Sequence, residues 1–347
     1  MARSHHAVAA VAALGTALGA WGALPARDDP VPAQVVLTYT DRDITESSGL
    51  VARRDLVATA NDSGSEPIVY TVERRTGDTV GTVRYADAVT DVEALASGRH
   101  TTVWVGDLGD NRHARGSVQV YRVPLGDARG ERAVDAASFE LAYPDGARDA
   151  EALLVHPRTG QVLVVSKELT GGTVYAAPRP LDPHAVNRLR AVGRVPGLVT
   201  DGAFFPDGKH LVLRTYGTAA VYTWPGLDRV GTFGLPAQEQ GEAVAVSPAG
   251  EVLIGTEGAY TQVLRIALPP AVARAVGVAA PDRPVASPAP SPTSPAPAAR
   301  STADQAQDDR LSLEEDGSVW LAGGVLAAVL VGWFYLTVVR RRGRRRP

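Results

Sequence analysis

The sequence predicts an all-β fold, a five-bladed β-propeller closed by an N-terminal strand, with one transmembrane helix near the C-terminus. Three observations lead there. A five-residue motif recurs as Glu46-Ser-Ser-Gly-Leu50, Asp91-Val-Glu-Ala-Leu95, Asp149-Ala-Glu-Ala-Leu153, Thr200-Asp-Gly-Ala-Phe204 and Gln240-Gly-Glu-Ala-Val244. Its copies lie roughly 40 to 58 residues apart, the spacing of propeller blades. Each copy also opens a series of short β-branched runs broken by turn residues.

In the third unit the runs are Ala152–His156, Gln161–Ser166, Thr173–Ala176 and Leu189–Val195, which makes four strands. The first two are joined by Pro157-Arg-Thr-Gly160, and the same hairpin recurs as Pro206-Asp-Gly208 and Pro248-Ala-Gly250. Glycine supplies the positive φ that such a turn needs. The fifth unit has only three runs before the chain turns proline-rich, and the unpaired run Val35–Thr40 stands ready to complete it. Such a closure removes the open edges of the ring. Residues 34–270 are therefore read as one propeller. A six-bladed ring is the alternative, because the long second and third units have room for further strands.

The flanks read as targeting and tethering segments. Arg3 followed by the apolar stretch Ala7–Leu24 and the small residues beyond it match a secretory signal peptide over 1–26, with cleavage between 26 and 33. Residues 271–317 form a Pro/Ala/Ser-rich stalk, disordered and tending to extended polyproline II. Residues 318–339 carry no charge and are long enough to cross a bilayer. The arginines of 340–347 follow at once, so this tail is expected in the cytoplasm and the propeller outside. The expected location is the cell membrane, single-pass, with an envelope protein or a glycan as partner.

Composition narrows the chemistry. The chain carries 35 basic and 38 acidic residues, yet seven of the basic ones lie at Arg3 and in the tail, so the remainder is acidic and a nucleic-acid partner is not expected. Without cysteine there is no disulfide framework, thiolate metal site or Cys nucleophile. The histidines show no metal-ligand spacing, and no Gly-x-Ser-x-Gly elbow, phosphate-binding loop or His-Glu-x-x-His helix occurs.

In a four-stranded blade the start of the first strand and the end of the second meet on one face. That rule gathers Glu46, Asp91, Glu93, Asp149, Glu151, Asp201 and Glu242 with Asn61, Asp62, Asp107, Asp110, Asn111, Lys167, Glu168, Arg214 and Glu257. Crowded carboxylates call for a compensating cation, and hard oxygen ligands in glycine-bearing loops suit Ca²⁺. Asp62, Asp107 and Asp110 are the candidate metal ligands. Lys167, Arg214, Glu93 and Glu151 are candidates for ligand binding, the two cations holding an anion beside the metal. The competing expectation is structural: the repeated acids accept hydrogen bonds from backbone N–H groups of the next blade.

Asn61-Asp-Ser-Gly64, Val105-Gly-Asp-Leu-Gly-Asp-Asn111 and Tyr143-Pro-Asp-Gly-Ala-Arg-Asp-Ala-Glu-Ala-Leu153 resemble segments of secreted actinobacterial propeller proteins, themselves distantly similar to phytase-like and esterase-like propellers. That resemblance covers residues 44–266. It implies an acidic, cation-loaded channel mouth and, for the phytase-like relatives, six blades and calcium-dependent hydrolysis of phosphate esters; five repeats depart from that pattern. Two functions are therefore expected: a membrane-anchored recognition or scaffold module, or a calcium-dependent hydrolase of phosphate or other esters.

Overall fold

The computed structural model describes residues 30–62 and 66–278, and within them the chain forms five mainly antiparallel sheets. The first blade comprises β2 (Ser47–Ala52), β3 (Leu56–Asn61), β4 (Ile68–Glu73) and β5 (Thr79–Arg84). The second comprises β6 (Val92–Ser97), β7 (Thr102–Asp107), β8 (Val118–Pro124) and β10 (Ala137–Ala142). β11 (Ala150–Val155), β12 (Val162–Ser166), β13 (Gly172–Ala176) and β15 (Arg190–Val195) make the third, and β16 (Asp201–Phe204), β17 (His210–Arg214), β18 (Thr218–Thr223) and β19 (Arg229–Gly234) the fourth. The fifth holds β20 (Val244–Val246), β21 (Val252–Ile254) and β22 (Gln262–Ile266).

The fifth sheet is completed from the other end of the chain. β1 (Ala33–Thr38) pairs antiparallel with β22, Ala33 opposite Ile266 and Thr38 opposite Gln262. The ring therefore closes as expected, with five blades rather than six.

The extra length of the second and third units goes elsewhere. β9 (Gly130–Ala133) adds to the outer edge of the first blade, parallel to β5, and β14 (Asn187–Arg188) adds to the second, parallel to β10. Each connecting segment thus folds back to cap the exposed outer edge of the preceding blade, where a row of unpaired backbone groups would otherwise remain.

Packing follows from the ring. Each of the five hydrophobic clusters draws its members from two successive blades, the last joining the fifth blade to the first through Leu37, Tyr39, Leu50, Ala243 and Val263. Inner strands are buried on both faces, and β2 and β11 are buried at every position. That burial explains why they read as continuous apolar runs rather than alternating ones.

Five inner strands converging on one axis leave little room for side chains. The fourth motif position is accordingly small in every blade: Gly49, Ala94, Ala152, Ala203 and Ala243. At Gly49 the approach is tight, since a Cβ there would lie 2.3 Å from the backbone nitrogen of Leu95 in the next blade.

A short helix, α1 (Pro270–Ala275), follows β22 and buries Val272 and Ala273 among residues of the fourth and fifth blades. Gly231 on β19 makes the space, because a Cβ there would meet the Val272 side chain at 2.6 Å. Packed structure thus extends past residue 270, to Val278. Among the described residues no helix is long and apolar enough to cross a membrane. The signal peptide expected over 1–26, the stalk beyond residue 278, the helix at 318–339 and the tail at 340–347 lie outside the described residues.

Candidate functional site: an acidic mouth on the propeller axis

Antiparallel pairing sets Ser47 opposite Asn61, Val92 opposite Asp107, Ala150 opposite Ser166 and Asp201 opposite Arg214. Starts of first strands and ends of second strands therefore share one face, and the loops after the second strands rim it. The opposite mouth is different in kind. It is a funnel of about 240 Å³ lined by apolar residues such as Leu50, Leu95, Leu153 and Phe204 together with Pro157, Pro206 and Pro248.

Much of the polar set on the acidic face is structural. Asn61 Oδ1 accepts the N–H groups of Thr45 and Glu46, at 3.1 and 3.2 Å. Asp107 occupies the same position one blade on and accepts Thr90 N and Asp91 N, at 2.9 and 3.0 Å. In the fifth blade Thr256 Oγ1 accepts Gln240 N. The end of the second strand thus clamps the chain as it enters the first. Asp107 is further held by Arg115 Nη1 at 2.8 Å, and Asp110 accepts Ala114 N and Arg115 N while donating its own N–H to Asp149 Oδ1. The expected role of Asp107 and Asp110 as metal ligands meets a physical obstacle, because backbone donors and an arginine already take up these carboxylates.

Arg214 likewise departs from expectation. It is 0% exposed and donates to the carbonyls of Ala243 and Gly255 at 2.9 and 3.1 Å and to Gln238 Oε1 at 3.3 Å. Burial lowers its pKa to about 10, with Asp201, Glu242 and Tyr216 acting in the opposite direction. The guanidinium is a strut between the fourth and fifth blades and has no free edge for an anion.

What remains at the axis is a set of acids from the third motif position. Glu93, Glu151 and Glu242 are all buried. Lys167 Nζ ion-pairs with Glu151 Oε1 and donates to Tyr216 Oη at 3.1 Å, and Tyr216 Oη donates to Glu242 Oε1 at 3.1 Å. This chain of contacts spans the third, fourth and fifth blades. Burial lowers the affinity of Lys167 for its proton, but the hydrogen bonds and charges of Glu151 and Tyr216 together outweigh it and the pKa stands above the usual lysine value.

A second group of acids belongs to the first two blades. Asp62, Asp91 and Glu93 each present an oxygen within 4.8 Å of the others. Asp91 immediately precedes β6 and Glu93 lies in it where the register with β7 shifts between Val92 and Ala94, while Asp62 comes from the loop of the neighbouring blade. Gly109 gives them room, since a Cβ there would meet Asp91 Oδ2 at 2.2 Å and Glu93 Oε1 at 2.6 Å. Burial, then the charges of Asp62, Glu151, Asp91 and Asp149, push Glu93 up to about 10. Glu151 is raised to about 8 by burial, against the pull of Lys167. Glu257 is raised to about 9 by burial and by its hydrogen bond with Glu242.

The structure thus brings Asp62, Glu93, Glu151 and Lys167 to the mouth and assigns Asp107, Asp110 and Arg214 to the scaffold. Sequence reasoning placed Asp91, Glu242 and Glu257 on this face without singling them out, and it missed Tyr216. The Asp-x-Glu spacing was the available signal for Asp91; Tyr216 has none, because its reach depends on a three-residue loop, 215–217.

No protein-family model and no curated protein matches the chain. Among solved structures it is similar to the β-propeller domain of Cps50 (Swd1) from Myceliophteria thermophila, at 13% identity and a TM-score of 0.36, covering 65% of this chain and 65% of that one. It is also similar to glutaminyl cyclase from Myxococcus xanthus, at 11% identity and a TM-score of 0.45, covering 69% of this chain and 97% of that one. Blade count and closure rest on this chain's own strand pairing.

Proposed function

We propose that the chain is a membrane-anchored extracytoplasmic propeller that acts as a recognition module in the cell envelope, with the acidic mouth as its binding face. One observation carries this reading: three of the large apolar side chains exposed in the propeller, Leu169, Tyr216 and Tyr260, rim this mouth. They occupy the loops after the second strands of three successive blades. Tyr260 is held out at a φ of 59°. Aromatic and apolar contacts around a well of carboxylates suit a cationic group on an envelope protein or an amino-sugar glycan. The signal, stalk and anchor read from the sequence supply the location.

The test is binding of hexalysine and of a glucosamine oligosaccharide to the full chain in detergent. Salt-sensitive binding of either probe, weakened about tenfold in Tyr216→Ala and Tyr260→Ala, supports the reading. Equal binding of a neutral glycine-serine peptide, or none of the cationic probes, rejects it.

A second reading is a calcium-dependent hydrolase of phosphate or other esters. Lys167 beside buried carboxylates of raised proton affinity favours it, since such groups suit acid–base work and anion binding. It requires calcium-dependent turnover of p-nitrophenyl phosphate or acetate, lost in Lys167→Met.

A further inference from the structure

We propose that the open edge of the third blade, with the cleft it shares with the fourth, docks an extended acidic segment of a partner protein, added as an outermost strand parallel to β15. The other blades show the form such a guest takes. Val134 N donates to the carbonyl of Arg84 at the end of β5, Leu189 N to that of Ala142 at the end of β10, and Val31 N to that of Gly234 at the end of β19, at 2.9, 2.8 and 3.0 Å. The first two donors directly follow the capping strands β9 and β14, and beside the third Pro30 bridges Gly234 in parallel. At the fifth blade Thr40 N donates to Gly77 O, in a turn of the first blade, at 3.1 Å.

The third blade lacks such a finish. β15 is the last strand of its sheet, and among the described residues no segment pairs with its outer side. The reason is the length of a connector. β9 and β14 arise from segments 125–136 and 177–189, which join the third strand of the following blade to its outer strand; in the fourth blade that connector is only the turn 224–228. A glycine beside a bulge marks the start of the slot on the outer strands of the first, third and fourth blades: Gly81, Gly193 and Gly231. A Cβ at Gly81 would meet Ala128 O at 2.8 Å and Arg129 Cα at 2.9 Å, and one at Gly231 would meet Val272. At Gly193 it would meet only the Leu227 side chain, at 2.4 Å. Beyond it lies a cleft of about 200 Å³ whose walls include Pro196, Gly197, Thr218, Tyr222, Arg229 and Thr232.

The chemistry of the cleft selects the guest. Among the described residues none that lines it is acidic. Arg229 is exposed and stands opposite Tyr222 in the β18–β19 register. Tyr222 is 4% exposed, yet its hydroxyl has no hydrogen-bond partner among the described residues. A donor so nearly buried calls for an acceptor. Arg190 is exposed and pairs with Ala176, which packs in the cluster between the third and fourth blades, so a second cation borders the same side. A carboxylate on the guest accepts from Tyr222 and pairs with Arg229. Main-chain bonds to the free edge of β15 supply affinity, and every second side chain, turned to the cleft, supplies specificity.

The experiment titrates the full chain in detergent with acetylated, amidated Val-Glu-Val-Glu-Val-Glu and with the same peptide carrying Lys for Glu, and follows amide hydrogen exchange by mass spectrometry. The acidic peptide is expected to bind at least about tenfold tighter than the basic one, more weakly as salt rises, and to slow exchange over residues 190–197. Arg229→Ala and Tyr222→Phe each weaken it about fivefold or more through a lost charge-assisted bond. Both variants keep the parent's melting temperature, since Arg229 is exposed and Phe retains the buried ring. Methylating alternate peptide nitrogens, in one frame or the other, abolishes binding. Absence of binding, equal binding of the two peptides, protection outside the third and fourth blades, or binding indifferent to methylation in both frames overturns the proposal. Hexalysine binding, titrated separately, tests the acidic mouth, so either site stands or fails by itself.

Discussion

Asp201 in the fourth blade accepts the backbone N–H of Val244 in the fifth at 2.7 Å, and its other oxygen accepts Gly202 N at 2.7 Å. Both residues are buried, and Asp201 also stands opposite Arg214, which holds the fifth blade's carbonyls. One carboxyl group therefore joins two blades through backbone N–H groups, and burial raises its proton affinity well above the usual carboxyl range. Asp201→Ala leaves the buried N–H groups of Val244 and Gly202 without their acceptor, and a loss of about 1–3 kcal/mol in urea unfolding is expected.

Gly49 tests the crowding at the axis. Gly49→Ala places a methyl group against the Leu95 backbone, which cannot move aside as a flexible side chain would. The first two blades must then shift apart, at a cost of about 1–3 kcal/mol or more, read as a lower urea midpoint with an unchanged slope.

Lys167 holds down the proton affinity of Glu151. Lys167→Met removes that pull while burial stays, so the Glu151 carboxyl titrates above about 8. Carbon-13 NMR of the glutamate carboxyls follows it directly. An unmoved titration contradicts the pairing.

Glu257 gives stability a pH dependence. Its carboxyl rises from 4.5 to about 9 on folding, so between those values the folded chain keeps a proton that the unfolded chain has released. Stability from this group is full below pH 4.5 and declines as pH climbs toward 9. Melting temperatures in chelator should fall across that range, and Glu257→Gln should flatten the decline.

Much of the fold was legible because a ring repeats its units. The motif copies marked every inner strand, and the missing strand of the fifth unit pointed to Val35–Thr40, which overlaps β1. The edge strands β9 and β14 were not legible. They are short and polar, and their pairing partners are chosen by where the connecting segments land rather than by their own periodicity. The site was half legible for a related reason. Sequence identified which residues reach the face, but only the donors around Asp107 show that it clamps the chain entering the first strand. Arg214 misled in the same way, because burial decides whether a guanidinium meets a guest or a carbonyl.

The union of β1 with β22 bears on how the molecule comes into being. During synthesis the N-terminal strand emerges first and its slot is made last, so for most of translation it hangs as an adhesive ribbon with no home. A second copy's ribbon fits that slot equally well, and high expression will therefore yield interlocked pairs that exchange their first strands, separable from single rings only by unfolding.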